Sequence, residues 1–294
     1  MMGGEQGFGR VGILGLGLIG GSVAAALKQR GLAEIVAWDA SEKSLELGLT
    51  RGIVDSVASG PGDLGDCDII VLAVPVLAMK AVLSEVSPGE GILTDVGSVK
   101  GHVVEAVREV FGTLPAGFVP GHPIAGSERH GVRAANPNLF EKHRVILTPV
   151  AETAESARLT VARLWSELGA EVLSMTPAHH DSVLAQTSHL PHLLAYGLVD
   201  TLSSGGDSLE VFQYAAGGFR DFSRIAASDP VMWRDIFLAN QAPVLEILDA
   251  YLDELVALRK SLADGDGEQL ATVFTRAKAA RDHFSDLDKK RRSE

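Results

Sequence analysis

Short apolar runs alternate with amphipathic stretches through the first 174 residues and then stop. Val11–Leu14, Ile35–Trp38, Ile69–Val74, Ile92–Asp95, Phe118–Val119, Val145–Leu147 and Glu171–Leu173 read as strands. Asp66–Val74, DCDIIVLAV, is almost continuously apolar, as a parallel strand covered on both faces should be. Between these runs, Ser22–Gln29, Ser41–Gly52, Val76–Val86, Gly101–Phe111 and Glu152–Leu168 carry helical spacing. The alternation predicts an open α/β sheet of about seven or eight strands with helices on both faces.

Beyond Ser174 no strand pattern recurs. Pro177–Leu202 reads as one long helix kinked at Pro191, and Asp207–Ala216 as a shorter one. Asp229 and Pro230 can cap and open a helix running to about Leu262, with Leu238, Val244, Leu248, Leu252 and Leu255 on its apolar stripe. A last helix spans Glu268 to about Phe284. The chain therefore divides into an α/β domain, residues 1–174, and an all-helical domain, residues 175–294. The helical part is apolar for its size, which predicts a homodimer whose helices cover each other.

The first strand, turn and helix carry the sharpest chemistry. Gly15, Gly17 and Gly20 stand in the spacing GxGxxG between an apolar strand and a small-residue helix. Such a turn admits a pyrophosphate at a helix N-terminus. Asp39 closes the second strand, where a carboxylate can accept hydrogen bonds from both ribose hydroxyls and would repel a 2′-phosphate. NAD is expected rather than NADP. The turn residues Gly15, Leu16, Gly17, Leu18, Ile19 and Gly20, with Asp39, Pro75 and Ser98, are assigned to the cofactor.

Composition narrows the partners. The 294 residues carry a formal net charge of −12, which argues against nucleic acid and anionic membranes. No apolar segment is long enough to span a bilayer, and the glycine-rich start is unlike a signal peptide, so a cytoplasmic location is expected. The single cysteine, Cys67, reads as core packing.

Several polar residues fall where strands end. Ser98 follows the strand closed by Asp95, and His122 sits in the loop PGHPIAGSE. His189 and His192 share a helix face, while Arg220, Asp221 and Arg224 lie in a glycine-led loop. A neutral imidazole can take the proton of an alcohol as hydride leaves, and His122 is the best-placed candidate. His180, Asp181, His189 and His192 could be taken for metal ligands, but they lack HExxH and every cysteine pattern, so no metal is expected.

GLGLIGG at Gly15–Gly21, DVGSVK at Asp95–Lys100, GHPIAGSE at Gly121–Glu128, SHLPH at Ser188–His192, GGFRDFSRIAASDP at Gly217–Pro230 and MWRDI at Met232–Ile236 occur in this order. Together they resemble the prephenate/arogenate (cyclohexadienyl) dehydrogenase family of tyrosine biosynthesis over about residues 8–285. The resemblance implies oxidative decarboxylation of a cyclohexadienol with hydride transfer to NAD, giving 4-hydroxyphenylpyruvate or tyrosine. It assigns catalysis to His122 and Ser98. It assigns substrate binding to His189, His192, Arg224, Trp233, Glu128 and Asp221, with Arg224 on the ring carboxylate. It also implies a dimer through the helical domain. No fused mutase or regulatory domain is expected in this length, so inhibition by tyrosine, if it occurs, is expected to act by competition in the active site. Two alternatives are a β-hydroxyacid or 6-phosphogluconate-type dehydrogenase and a non-catalytic NAD-binding interaction protein. The first relies on a lysine, and none occurs between Pro177 and Arg259.

Overall fold

A computed structural model describes residues 7–87, 89–126, 129–204 and 212–293. Six parallel strands form the main sheet: β1 (Arg10–Leu14), β2 (Glu34–Trp38), β3 (Ser56–Val57), β4 (Ile69–Leu72), β5 (Ile92–Asp95) and β6 (Phe118–Val119). Their order is β3-β2-β1-β4-β5-β6, the doubly wound arrangement that reverses direction between β1 and β4. Helices α1 (Leu18–Arg30), α2 (Glu42–Thr50), α3 (Met79–Leu83) and α4 (Lys100–Phe111) make the connections. Along β1, Val11 and Ile13 join one apolar cluster and Leu14 joins the other. Along β4, Ile69 and Val71 face the first cluster, and Ile70 and Leu72 the second. This two-residue alternation is why the run is apolar throughout: both faces are covered.

The remaining strands do not extend this sheet. β7 (Gly121–Ile124), β8 (Arg144–Leu147) and β9 (Glu171–Ser174) form a second, three-stranded sheet, with α5 (Glu155–Glu167) between the last two. The expected single sheet of seven or eight strands is thus two sheets. The reason is the connection. Only Pro120 separates β6 from β7, far too little for the crossover that a parallel neighbour requires. The chain instead leaves the main sheet, and β7 pairs antiparallel with β8. His122, expected in a loop, is a strand residue opposite Ile146. β7 lies at the edge of its sheet, where Pro123 removes no interior ladder bond.

The helical part begins with α6 (Pro177–Leu184), capped by the Thr176 hydroxyl on the His179 N–H. A single π-helical turn, Ala185–His189, joins it to α7 (Leu190–Ser203). The interruption expected at Pro191 is therefore this turn, a π bulge in a continuous helical run directly before a residue that has no N–H to give the preceding turn. The helix expected over Asp207–Ala216 falls largely outside the described residues. Next come α8 (Gly217–Ser223), a 3₁₀ turn over Arg224–Ala227, and α9 (Pro230–Ala239), capped by Asp229 on the Met232 N–H. The helix expected to run unbroken to Leu262 stops at Asn240 and restarts as α10 (Gln241–Asp264). Asn240 leaves helical geometry and is buried, its amide engaged elsewhere. α11 (Gly267–Ser293) follows.

The chain forms two compact units, Met1–Val244 and Leu245–Glu294. The second is a helix pair that exposes large apolar side chains, among them Leu252, Val256, Leu262, Phe274 and Phe284. No described helix is long and apolar enough to cross a membrane.

Candidate active site

The glycine turn lies beyond the carboxyl end of β1, at the switch point of the sheet. Gly15 has φ +99°, and a Cβ there would stand 2.6 Å from the Ala73 carbonyl oxygen. At Gly20 a Cβ would stand 2.0 Å from the Gly15 carbonyl oxygen, so α1 can approach β1 only without a side chain. Gly17 differs: a Cβ there would meet nothing within 4 Å, leaving open space over the turn. α1 has no side-chain cap and no acidic residue in its first turn, which suits an incoming phosphate.

Leu16 contributes backbone only, since its side chain is fully buried over Gly48. Its N–H donates to Asp39 Oδ2 at 2.6 Å, and the Ser41 N–H donates to Oδ1 at 2.8 Å. Those bonds fix the carboxylate beside the turn and leave lone pairs for ribose hydroxyls. The turn and its acid therefore fit a dinucleotide. Pro75 is exposed just after β4, on the same edge of the sheet.

At the end of β5 an ion pair organises the neighbouring loop. Asp95 and Lys100 are both fully buried and pair directly. Asp95 also accepts the N–H of Gly97 at 2.8 Å and of Gly121 at 3.1 Å, while Lys100 donates to the Gly121 carbonyl. Burial lowers the Lys100 pKa, against the opposing pull of Asp95. This pair ties the loop carrying Ser98, which is half-buried, to the start of the strand carrying His122.

His122 is half-buried, and its Nδ1 lies 2.9 Å from His180 Nε2. His180 is fully buried, with Nδ1 2.8 Å from Asp181 Oδ1. Asp181 in turn accepts the N–H groups of Lys100 at 2.8 Å and Gly101 at 2.7 Å, the first turn of α4. The sequence presents His180 and Asp181 only as possible metal ligands. Their adjacency just inside a capped helix start is the one local signal of another role. Among the described residues no group of three His, Cys, Asp or Glu side chains is arranged to hold a metal.

Further along the same helical run, His189 is buried in the π turn and its Nδ1 meets the Asn240 amide at 3.0 Å. The same amide donates to the Asp181 carbonyl at 2.9 Å, so the residue that breaks the α9–α10 helix joins both halves of the histidine cluster. His192 donates from Nδ1 to the Ser188 carbonyl at 2.8 Å and stacks on Trp233, centroids 3.6 Å apart. Trp233 is itself buried, with its indole N–H unpartnered among the described residues.

These groups favour neutral imidazoles. Burial pushes His122 well below the ordinary histidine value, and the neighbouring Lys100 charge acts in the same direction. Burial brings His189 down to about 4 and also lowers His192, with the Arg224 charge adding to the latter effect. Arg224 is exposed at the start of its 3₁₀ turn, and Asp221 is exposed on α8. Glu128 lies outside the described residues. The structure thus gathers His122, His189, His192 and Trp233 with His180, Asp181 and Asn240, while the Nδ1 of His122 faces His180 rather than Ser98.

The chain resembles known proteins along most of its length. Residues 23–174 match the family model "Prephenate dehydrogenase, nucleotide-binding domain", and residues 176–276 match "Prephenate dehydrogenase, dimerization domain". The chain is 38 % identical to cyclohexadienyl dehydrogenase of Zymomonas mobilis, covering 93 % of this chain and 95 % of that one. It is also 38 % identical to prephenate dehydrogenase of Bacillus subtilis, over 92 % of this chain and 74 % of the relative. Among solved structures, prephenate dehydrogenase from Aquifex aeolicus in complex with hydroxyphenyl propionate and NAD+ superimposes with a TM-score of 0.86 at 35 % identity. That match covers 96 % of this chain and 99 % of the other.

Proposed function

The chain belongs to the prephenate dehydrogenase family, and on that premise we propose how its residues divide the work of oxidising a cyclohexadienol. It is an NAD-dependent dehydrogenase that oxidatively decarboxylates prephenate, arogenate or both. The products are 4-hydroxyphenylpyruvate or tyrosine, with CO2 and NADH. The observation that carries the assignment is His122: a neutral imidazole on a strand pinned to the end of the parallel sheet.

NAD, when bound, supplies the hydride acceptor. The chain's own groups hold it and handle the proton. The α1 N-terminus and the open space over Gly17 take the pyrophosphate, and Asp39 takes the adenosine ribose. His122 accepts the proton of the ring hydroxyl. Ser98, on the loop pinned by Asp95, orients that hydroxyl or the imidazole. His189, His192 and Trp233 form the wall of the substrate pocket, with Asp221 at its entrance. Hydride loss from C4 and departure of the ring carboxylate as CO2 leave an aromatic ring, whose stability drives the step, and the phenolate oxygen takes the proton back from His122 to give the phenol product. The protein then needs alignment and one base.

Arg224 binds the ring carboxylate. Its charge is felt at His192, which puts it within electrostatic reach of that wall. Arg224→Ala should raise the substrate KM about 10- to 100-fold, the loss expected for a charge-assisted bond, with little change in the Kd of NAD. Steady-state kinetics at saturating NAD read this directly; an unchanged KM removes the role.

Residues 1–174 hold the dinucleotide, and residues 175–294 supply substrate groups and a dimer surface. The exposed leucines, valine and phenylalanines of α10 and α11 support a homodimer through these helices. The defining experiment supplies the purified chain with NAD and either prephenate or arogenate. NADH should form with one or both, in step with CO2 and the matching aromatic product. No NADH from either, with turnover of a simple hydroxy acid instead, would overturn the reading.

A further inference from the structure

We propose that His180 is a positioning residue for this reaction: anchored by Asp181, it holds the proton of His122 on Nδ1 and so presents Nε2 as the base. The proposal rests on the function assigned above, in which His122 receives the hydroxyl proton.

Three side chains in series fix the proton's place. Asp181 accepts two backbone N–H bonds, one on each oxygen, from Lys100 and Gly101 at the start of α4. A carboxylate so occupied at a helix N-terminus has no proton to give. The 2.8 Å contact between Asp181 Oδ1 and His180 Nδ1 is therefore an N–H of His180 donating to Asp181. A neutral imidazole carries only one N–H, which leaves His180 Nε2 as an acceptor. Across the 2.9 Å contact, His122 must then donate from Nδ1. The other nitrogen of His122, Nε2, keeps its lone pair.

The opposite assignment needs His180 doubly protonated. That would place a cation at a fully buried ring, with the ammonium of Lys100 already within reach of His122 and Asp181. It would also put the proton of His122 on Nε2, where no further proton could be accepted.

The same chain serves the charged state. During turnover the hydroxyl O–H bond breaks and an N–H bond forms at His122 Nε2. The new imidazolium still donates from Nδ1 to His180, and His180 still donates to Asp181. The carboxylate then faces the positive charge through one intervening ring. The second ring nitrogen of a working histidine is commonly fixed by such a partner. Here the partner is another histidine, 58 residues away in sequence. His180 and Asp181 sit at the start of the helix system that continues through the π turn to His189 and His192. One helical element therefore both orients the base and lines the pocket.

The test combines nitrogen NMR of the histidine-labelled full chain with kinetics. In the wild type, His122 should show a protonated Nδ1 and an unprotonated Nε2. His180→Phe should move the proton of His122 toward Nε2 and lower kcat by about 10²-fold, leaving the Kd of NAD and the substrate KM unchanged. His180→Gln can accept from His122 and donate to Asp181 through one amide, and should restore both the Nδ1–H form and most of kcat. A wild-type His122 protonated at Nε2, or a His180→Phe protein that keeps the Nδ1–H form with full kcat, would overturn the proposal. If His180→Phe does not fold, the wild-type spectrum and His180→Gln still decide. The expected spectrum in a chain without dehydrogenase activity would sustain the positioning chain while refuting the assigned reaction.

Discussion

His122→Asn is expected to lower kcat by ~10² to 10⁴-fold with little change in the Kd of NAD or the substrate KM. The substitution is chosen for what it keeps. An asparagine amide can still donate to His180 Nε2 in place of the imidazole Nδ1–H, so the chain through His180 to Asp181 keeps its end. What disappears is the second ring nitrogen, the only part of the side chain that can take a proton from the substrate. In the proposed site, binding depends on other groups, the glycine turn for the cofactor and the His192–Trp233 wall for the substrate. A fall in kcat with KM preserved is the signature of an interaction made in the transition state alone. Steady-state rates of NADH formation measure it. Turnover near the wild-type rate would mean that another group takes the proton.

The second large effect is on stability. Lys100→Met should destabilise the fold by about 3–5 kcal/mol, the usual consequence of removing one partner from a buried ion pair. Asp95 would be left fully buried with only the N–H bonds of Gly97 and Gly121. The Gly121 carbonyl would lose a donor as well. Adding Asp95→Asn to Lys100→Met removes the stranded charge and should return part of the loss. Equilibrium denaturation of the single and double variants reads both numbers; an unchanged midpoint in Lys100→Met would show that the pair contributes nothing. Because this pair joins the Ser98 loop to the strand of His122, the single variant should also lose activity before it loses its fold.

The legible parts of this chain are those whose cause is local. The glycine turn, the strand before it and Asp39 announce themselves because each does its work within about a helix and two strands of sequence. The apolar run of β4 is equally plain, because burial on both faces leaves no polar position to blur it. Non-local pairing hides the rest. Nothing in GHPI says that it will pair antiparallel with a strand more than twenty residues away, so His122 reads as a loop residue. Lys100 stands in the sequence only as the last residue of DVGSVK, because lysines are rarely buried, and only the fold brings Asp95 and the Gly121 carbonyl around it. His180 escapes for a related reason: its partner along the chain, Asp181, is visible, but its target on β7 is not. Asn240 continues an apparently unbroken helical stripe, and the break there depends on two acceptors from a different helix system.

The central claim is that a neutral His122 takes the substrate proton. The pH dependence of kcat/KM, compared between the wild type and His122→Asn, tests it most directly. A histidine whose pKa is held down by burial stays neutral as pH falls and becomes charged only below the ordinary histidine value. The wild type should therefore hold its rate down through that value and then lose it along a limb of unit slope. His122→Asn, slow throughout, should show no such limb. The same acid limb in the variant would contradict the account.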